Sequence, residues 1–267
     1  MLVKNKAYII AEIGINHNGD LDEAKRLIDK ASECGVDAVK FQTYLTEKRV
    51  KKNSPIFDTL KKCELPLSAF EGLKDHAAQY NIDFFSTPFD NDSVDCLSGL
   101  GIDLYKIASF DVTNLKFLDY ISRSAKEVIM STGMANTQEI KEAMDILAAR
   151  CEVSLLHCVS SYPTKPQDAN LSAIQTLINN FSCPVGYSDH TLGIDIAVYS
   201  VLLGASIIEK HFKINDNCAD AGVSSSPKEM KAMVEKIRGL FEILGEGECG
   251  LNECQESIKT FRRFSNV

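Results

Sequence analysis

Eight short apolar runs alternate along the chain with stretches whose apolar residues repeat at helical spacing. Tyr8-Ile-Ile-Ala-Glu12-Ile-Gly14 is almost continuously apolar, as a strand buried on both faces must be. Asp20-Leu-Asp-Glu23 then reads as a capping box, and Leu21, Ala24, Leu27, Ile28 and Ala31 share one helical face before Gly35. Val36–Thr43 predicts the second strand. The unit recurs at Asp83–Pro88 with a helix near 90–100, and at Leu104–Ser109 with a helix from about 114. Val128–Ser131 precedes a helix opened by Asn136-Thr-Gln-Glu139 and ending near Ala149. Val153–His157 precedes a helix at 171–180, and Pro184–Ser188 one at 194–203. Ile207–Phe212 leads to a capping box with Pro at its first helical position, Ser226-Pro-Lys-Glu229. The core face of that last helix runs through Met230, Met233, Val234, Ile237, Leu240, Phe241 and Leu244. Residues 44–65 form the longest irregular connection, a length that at a catalytic face commonly serves to bind substrate or close the site.

Strand-helix units repeated in this way predict one α/β domain, a (β/α)8 TIM barrel over residues 1–245. Residues 246–267 read as a polar C-terminal tail. At 267 residues the length suits one such barrel. No apolar run approaches the ~20 residues of a membrane span. The N-terminus passes into a strand with no signal-peptide pattern, so a cytoplasmic protein is expected. A net charge of −8 argues against nucleic acid as a partner but not against an anionic substrate, which responds to local charge. The nine cysteines form no CxxC pair and are expected to be reduced. Cys158 reads as a packed strand residue.

In a parallel barrel the C-terminal strand ends meet at one mouth. Seven of the runs end in residues that handle protons, phosphates or metals. His190 and His211 close neighbouring runs. Two imidazoles there can hold a divalent metal with positions left open for substrate, or they can simply cap strands. Lys40 and Lys106 stand inside apolar strands, where a lysine is expensive unless its charge is used. With hydroxyls from Thr87, Ser109, Ser131 and Ser188 they suit a phosphate or carboxylate. The alternative is an interior ion pair such as Lys106 with Glu12. Glu12, alone in its strand, must be paired or catalytic. On pattern alone Asp220 is a solvated loop acid, and Asp189 either orients an imidazole or faces away. Asn16-His17-Asn18-Gly19 is a turn, so His17 reads as structural or rim-lining and not as a ligand, and His76 as a solvated helix residue.

Several motifs together resemble the sialic acid synthase family, which includes N-acetylneuraminate, legionaminate and pseudaminate synthases. They are Ala11-Glu-Ile-Gly-Ile-Asn-His-Asn-Gly19, Val39-Lys-Phe-Gln-Thr43, Phe85-Ser-Thr-Pro-Phe89, Tyr105-Lys-Ile-Ala-Ser109, Ser131-Thr-Gly-Met134, Tyr187-Ser-Asp-His-Thr-Leu-Gly193 and Ile208-Glu-Lys-His-Phe212. The resemblance runs in order from about residue 7 to 245. It implies condensation of phosphoenolpyruvate with an N-acetylated amino sugar aldehyde, giving a nine-carbon 2-keto sugar acid and phosphate. By motif position it implies that His190 and His211 hold Mn2+ or Mg2+. Lys40, Gln42, Thr87, Lys106, Ser109, Asp111, Ser131, Ser160 and Ser188 are implied to bind substrate, with Glu12, Tyr162 and Asp220 near the reacting carbons. Phe110-Asp111 replaces a Gly-Glu found in some members. Asp220-Ala-Gly-Val-Ser224 stands where many carry Gly-Pro-Asp, and Ser160 stands where some have Asn.

Members of the family usually continue into a small antifreeze-like domain that gives an arginine to the partner subunit. The sequence ends near the expected linker. A homodimer, or a separate antifreeze-like protein as partner, is therefore an expectation. Two alternatives stay open: a related condensing enzyme using another aldose, and a ligand-binding barrel that depends on a partner or does not turn over.

Overall fold

The computed structural model describes residues 6–245 and 249–263. Eight parallel strands close into a barrel in sequence order. They are β1 (Tyr8–Gly14), β2 (Ala38–Thr43), β3 (Asp83–Pro88), β4 (Leu104–Ile107), β5 (Glu127–Ser131), β6 (Glu152–Cys158), β7 (Val185–Asp189) and β8 (Ile207–His211). The helices are α1 (Leu21–Glu33), α2 (Thr46–Arg49), α3 (Phe57–Cys63), α4 (Ala69–Ala78), α5 (Asn91–Gly99), α6 (Leu115–Ser122), α7 (Thr137–Leu147), α8 (Ala173–Asn180), α9 (Asp195–Leu202) and α10 (Pro227–Leu244). No helix of the described residues is long and apolar enough to cross a membrane. Part of the tail (246–248 and 264–267) lies outside the described residues, and Glu253–Phe261 forms exposed 3-10 turns.

The capping boxes expected at Asn136 and Ser226 both form, and Asp20 caps α1 by accepting from the Glu23 amide. The buried faces of α1 and α10 follow the spacing through Leu27, Ile28, Met230, Met233 and Ile237, but Leu21 in the first turn of α1 and Leu244 in the last turn of α10 are exposed, a correction to the faces expected. They join the strand residues in one continuous core.

The connection 44–65 is irregular only in part. It folds into α2 and α3 on a small core of its own, made of Ile15, Tyr44, Leu60 and Cys63 with Val50 and Phe89 against it. The buried Tyr44 hydroxyl donates to the Leu60 carbonyl at 2.9 Å. A second correction concerns His76. It is not freely solvated, because its Nε2 lies 2.6 Å from Asp29 Oδ1 on α1, which joins α4 to α1. His17 is structural, as its turn implies. It is buried, stacks on Phe41, and is pushed down to about 4 by burial.

The register sets the mouth. Glu12 on β1 lies level with Lys40 on β2 and with His211 on β8. Ser188 is level with Glu209, and Gln42 with Thr87. The β1–β2 register shifts between Glu12 and Gly14. Gly14 sits there with φ +55°, where a Cβ would stand 3.0 Å from Glu12 Oε1 and 3.2 Å from Gln42 Nε2. Only glycine permits both that backbone and that close approach.

On the outer side of the strands, residues of opposite parity form a buried ion pair. Lys210 Nζ lies 2.6 Å from Asp189 Oδ2, with both side chains essentially sealed from solvent. Lys210 also donates to the Thr191 carbonyl, and Asp189 Oδ1 accepts from the Thr191 amide and hydroxyl. Asp189 therefore faces away from the imidazoles.

Candidate active site

The strand ends enclose a cavity of about 1220 Å³, counted with its open mouth. Its floor is a cluster of two cations and two carboxylates. Lys40 Nζ is 2.8 Å from Glu12 Oε2 and 3.6 Å from Glu209 Oε2, and donates to Thr87 Oγ1 at 3.0 Å. Lys106 Nζ donates to Ser131 Oγ at 2.5 Å and to the Ile107 carbonyl at 3.0 Å, with Glu209 Oε1 at 3.9 Å. Ser188 donates to Glu209 Oε1 at 2.8 Å. The interior ion pair offered as the alternative, Lys106 with Glu12, is not the one that forms: Glu12 pairs with Lys40, and Lys106 faces Glu209.

These distances make the two lysines unequal. Burial works against both charges. For Lys40 the Glu12 and Glu209 carboxylates more than offset it and hold the ammonium above its ordinary range. Lys106 remains below its ordinary range, because burial and the neighbouring Lys40 outweigh Glu209. Lys106 is the cation with the least compensated charge, the condition in which an added anion is most welcome.

The two histidines stand side by side at the rim, ring centroids 5.5 Å apart, with Tyr162 tilted 4.2 Å over His190. His190 Nδ1 engages the Val159 carbonyl at 2.9 Å, which leaves Nε2 as the free lone pair. Burial first, and then His211, pushes His190 down to about 4, so it is neutral near pH 7. His211 Nδ1 lies 3.4 Å from Asp220 Oδ2. Burial alone would lower His211, but the Asp220 carboxylate raises it above the ordinary range. Asp220 is thus a site residue and not a freely solvated loop acid; Asn16 Oδ1 accepts from its amide at 2.8 Å.

Gln42 donates to Glu12 Oε1 at 3.1 Å. Ser109 accepts from the Gly133 amide at 3.0 Å and lies 3.1 Å from the buried Cys158 thiol. A Cβ on Gly133 would stand 2.4 Å from Ser160 Oγ and 2.9 Å from Ser109 Oγ, so these hydroxyls gather around one backbone point. Ser131 and Ser160 are not among the residues that line the cavity, although Ser131 accepts from Lys106, which does line it. Asp111 accepts from Asn114, and burial raises its carboxyl above the usual range; it too lies outside the lining. The other sequence-assigned residues line the cavity.

Two charged lining residues were missed, Glu209 and Arg49. Glu209 is two positions before His211, so strand parity alone puts both on the inner face. Arg49 ends α2 and gave no signal.

The NeuB family model matches residues 27–249. The chain belongs to the NeuB family. It is 47% identical over 245 residues to an uncharacterized protein of Methanocaldococcus jannaschii, covering 90% of this chain and 73% of that one. It is 42% identical over 262 residues to the N,N'-diacetyllegionaminic acid synthase of Campylobacter jejuni, covering 91% and 78% respectively. Among solved structures, the N-acetylneuraminic acid (sialic acid) synthetase of Leptospira borgpetersenii serovar Hardjo-bovis, in complex with citrate, superposes with a TM-score of 0.92. It is 39% identical, over 96% of this chain and 91% of that one. The NeuB-type barrel expected from the motifs is therefore the fold of this chain.

Proposed function

We propose that this NeuB barrel condenses phosphoenolpyruvate with an N-acetylated amino sugar in its open-chain aldehyde form. The product is a nine-carbon 2-keto sugar acid, and phosphate leaves. The observation that carries the reading is the floor cluster, where an undercompensated Lys106 lies among hydroxyls facing Glu209, with the Lys40–Glu12 pair next to it and the imidazoles of His190 and His211 at the rim above. Family membership and the names of the synthase relatives support it.

In this reading Lys106, Thr87, Ser109 and Ser188 bind the phosphate and carboxylate of phosphoenolpyruvate by charge-assisted hydrogen bonds. Its C3 forms the new bond to the sugar aldehyde carbon, and the aldehyde oxygen takes a proton. Water adds at C2. Glu12, held by Lys40 and Gln42, accepts the water proton and stabilises the positive charge that develops there. The C2 hydroxyl then gives its proton to the departing phosphate and becomes the keto group as the C2-side C–O bond to phosphate breaks, and Lys106 steadies the departing anion.

The donor set fits a divalent metal. His190 Nδ1 is engaged by a carbonyl, and His211 Nδ1 is buried beside a carboxylate with no hydrogen bond of its own, the arrangement that orients imidazoles for metal. Among the described residues no three His, Cys, Asp or Glu side chains form a ready-made cage, so further ligands would be water or substrate. Mn2+ or Mg2+ held by His190 and His211 would polarise the aldehyde oxygen.

The test is phosphate release from phosphoenolpyruvate with a panel of N-acetylated hexoses, before and after chelation. Release should require both an N-acetylated sugar and added metal. His211→Ala should bind Mn2+ more weakly by calorimetry while its circular dichroism spectrum is unchanged. Full turnover in metal-stripped protein overturns the metal assignment, and no release with any aldose overturns the condensation.

A further inference from the structure

Arg49 has no part in the chemistry above, yet it is built into the mouth. Its guanidinium carbon lies 3.6 Å over the Phe89 ring centroid and 4.7 Å from that of Tyr44. Its Nη1 donates to Gln42 Oε1 at 3.0 Å. A guanidinium has five N–H donors in a fixed fork. No other hydrogen bond or ion pair among the described residues takes the rest. The contacts with Phe89 and Tyr44 and the bond to Gln42 hold the guanidinium in place at the mouth, with the remaining donors unused.

We propose that Arg49 is a specificity-determining residue, which reads the carbonyl of a neutral N-acyl group on the aldehyde substrate. This deepens the condensation reading and rests on it. Two observations choose a neutral acyl group over an anion. The carboxylates of Asp220, Asp111 and Glu12 all act on Arg49, so an added phosphate there meets three negative charges already present. The surrounding wall is apolar: Ile56, Leu60 and Phe110 line the same mouth, and Ile56 and Phe110 are exposed. A methyl beside a carbonyl matches apolar surface beside a fixed donor. A phosphate matches neither.

Arg49 also holds Gln42, whose amide hydrogens face Glu12, so a variant can slow turnover without any contact to the sugar. The test therefore reads a preference, in which such a common effect cancels. Phosphate release and calorimetric sugar binding would be measured with an N-acetylated hexosamine, the same hexose bearing hydroxyl in place of the acetamido group, and a phosphorylated hexose. Arg49→Met keeps the length and the contact with Phe89, and Arg49→Lys keeps the charge without the fork.

The wild type should favour the N-acetylated sugar. Arg49→Met should shrink that preference by about 10- to 150-fold, the worth of one charge-assisted hydrogen bond. Arg49→Lys should retain part of it, and both variants should unfold at the wild-type temperature. Equal losses on the N-acetylated and hydroxyl sugars overturn the proposal and leave Arg49 acting through Gln42 alone. A loss confined to the phosphorylated sugar overturns the acyl assignment. If the wild type releases phosphate while the preference ignores Arg49, the inference falls and the condensation stands. If no sugar is turned over, yet binding shows an N-acyl preference that Arg49→Met removes, the condensation falls and the inference stands. A wild type that binds no sugar at all overturns both.

Discussion

Lys106→Met should weaken phosphoenolpyruvate binding by about 2–5 kcal/mol, the loss seen when one partner of a buried charged contact is removed. That is roughly 30- to 5000-fold in affinity. Lys40 is committed to Glu12 at 2.8 Å and to Glu209 at 3.6 Å, whereas the nearest carboxylate oxygen to Lys106 is 3.9 Å away. The incoming anion therefore relieves Lys106 more than Lys40. Removing Lys40 should act differently, leaving Glu12 buried beside Glu209 with its nearest cation gone, and so reduce stability more than Lys106→Met does. Calorimetry with phosphoenolpyruvate and urea unfolding of both variants separate the two. An unchanged phosphoenolpyruvate affinity in Lys106→Met sinks the assignment, and equal losses of stability sink the asymmetry.

Lys210→Met should cost about 3–5 kcal/mol of folding stability, because it strands Asp189 as a buried charge without its counterion. The double variant Lys210→Met with Asp189→Asn should recover much of the loss, since a neutral amide is far cheaper to bury. Urea unfolding with linear extrapolation measures both, and a change within 1 kcal/mol for the single variant refutes the claim. The pair lies between the residues that precede His190 and His211, so the same substitution tests whether the outer layer of the barrel holds the rim in place.

Most of the fold was legible because the strands are short, largely buried apolar runs that turn polar towards the mouth, and the longer helices carry an apolar stripe. Asn136 and Ser226 announced α7 and α10 through side chains that bond their own backbone, which is information local to the sequence. The start of α8 at Ala173 fell two residues after Leu171, where no capping side chain bonds the first turn. Helices α2 and α3 were missed because four and seven residues are too few to display a 3.6-residue period. His76 was misread because its partner, Asp29, stands 47 residues away and nothing local marks the pairing.

In the site, residues at strand ends were legible because the barrel gathers those ends whatever their separation in sequence. Glu209 could have been read from parity with His211. Arg49 could not, since its position depends on Phe89 and Tyr44 meeting across two connections. Likewise, that Glu12 pairs with Lys40 rather than Lys106 follows from strand adjacency, which becomes definite only when strands are paired in register.

The small core under α2 and α3 sets a dynamic hierarchy. With so few apolar contacts, residues 46–63 should open locally at a free energy well below that of unfolding the barrel, and their amides should exchange first. Only the closed arrangement presents Arg49 to the mouth. The apparent affinity for whatever lies there is then the intrinsic affinity scaled by the closed fraction. Cys63, buried in that core and outside the cavity lining, becomes a position where a polar replacement weakens binding by lowering the closed fraction.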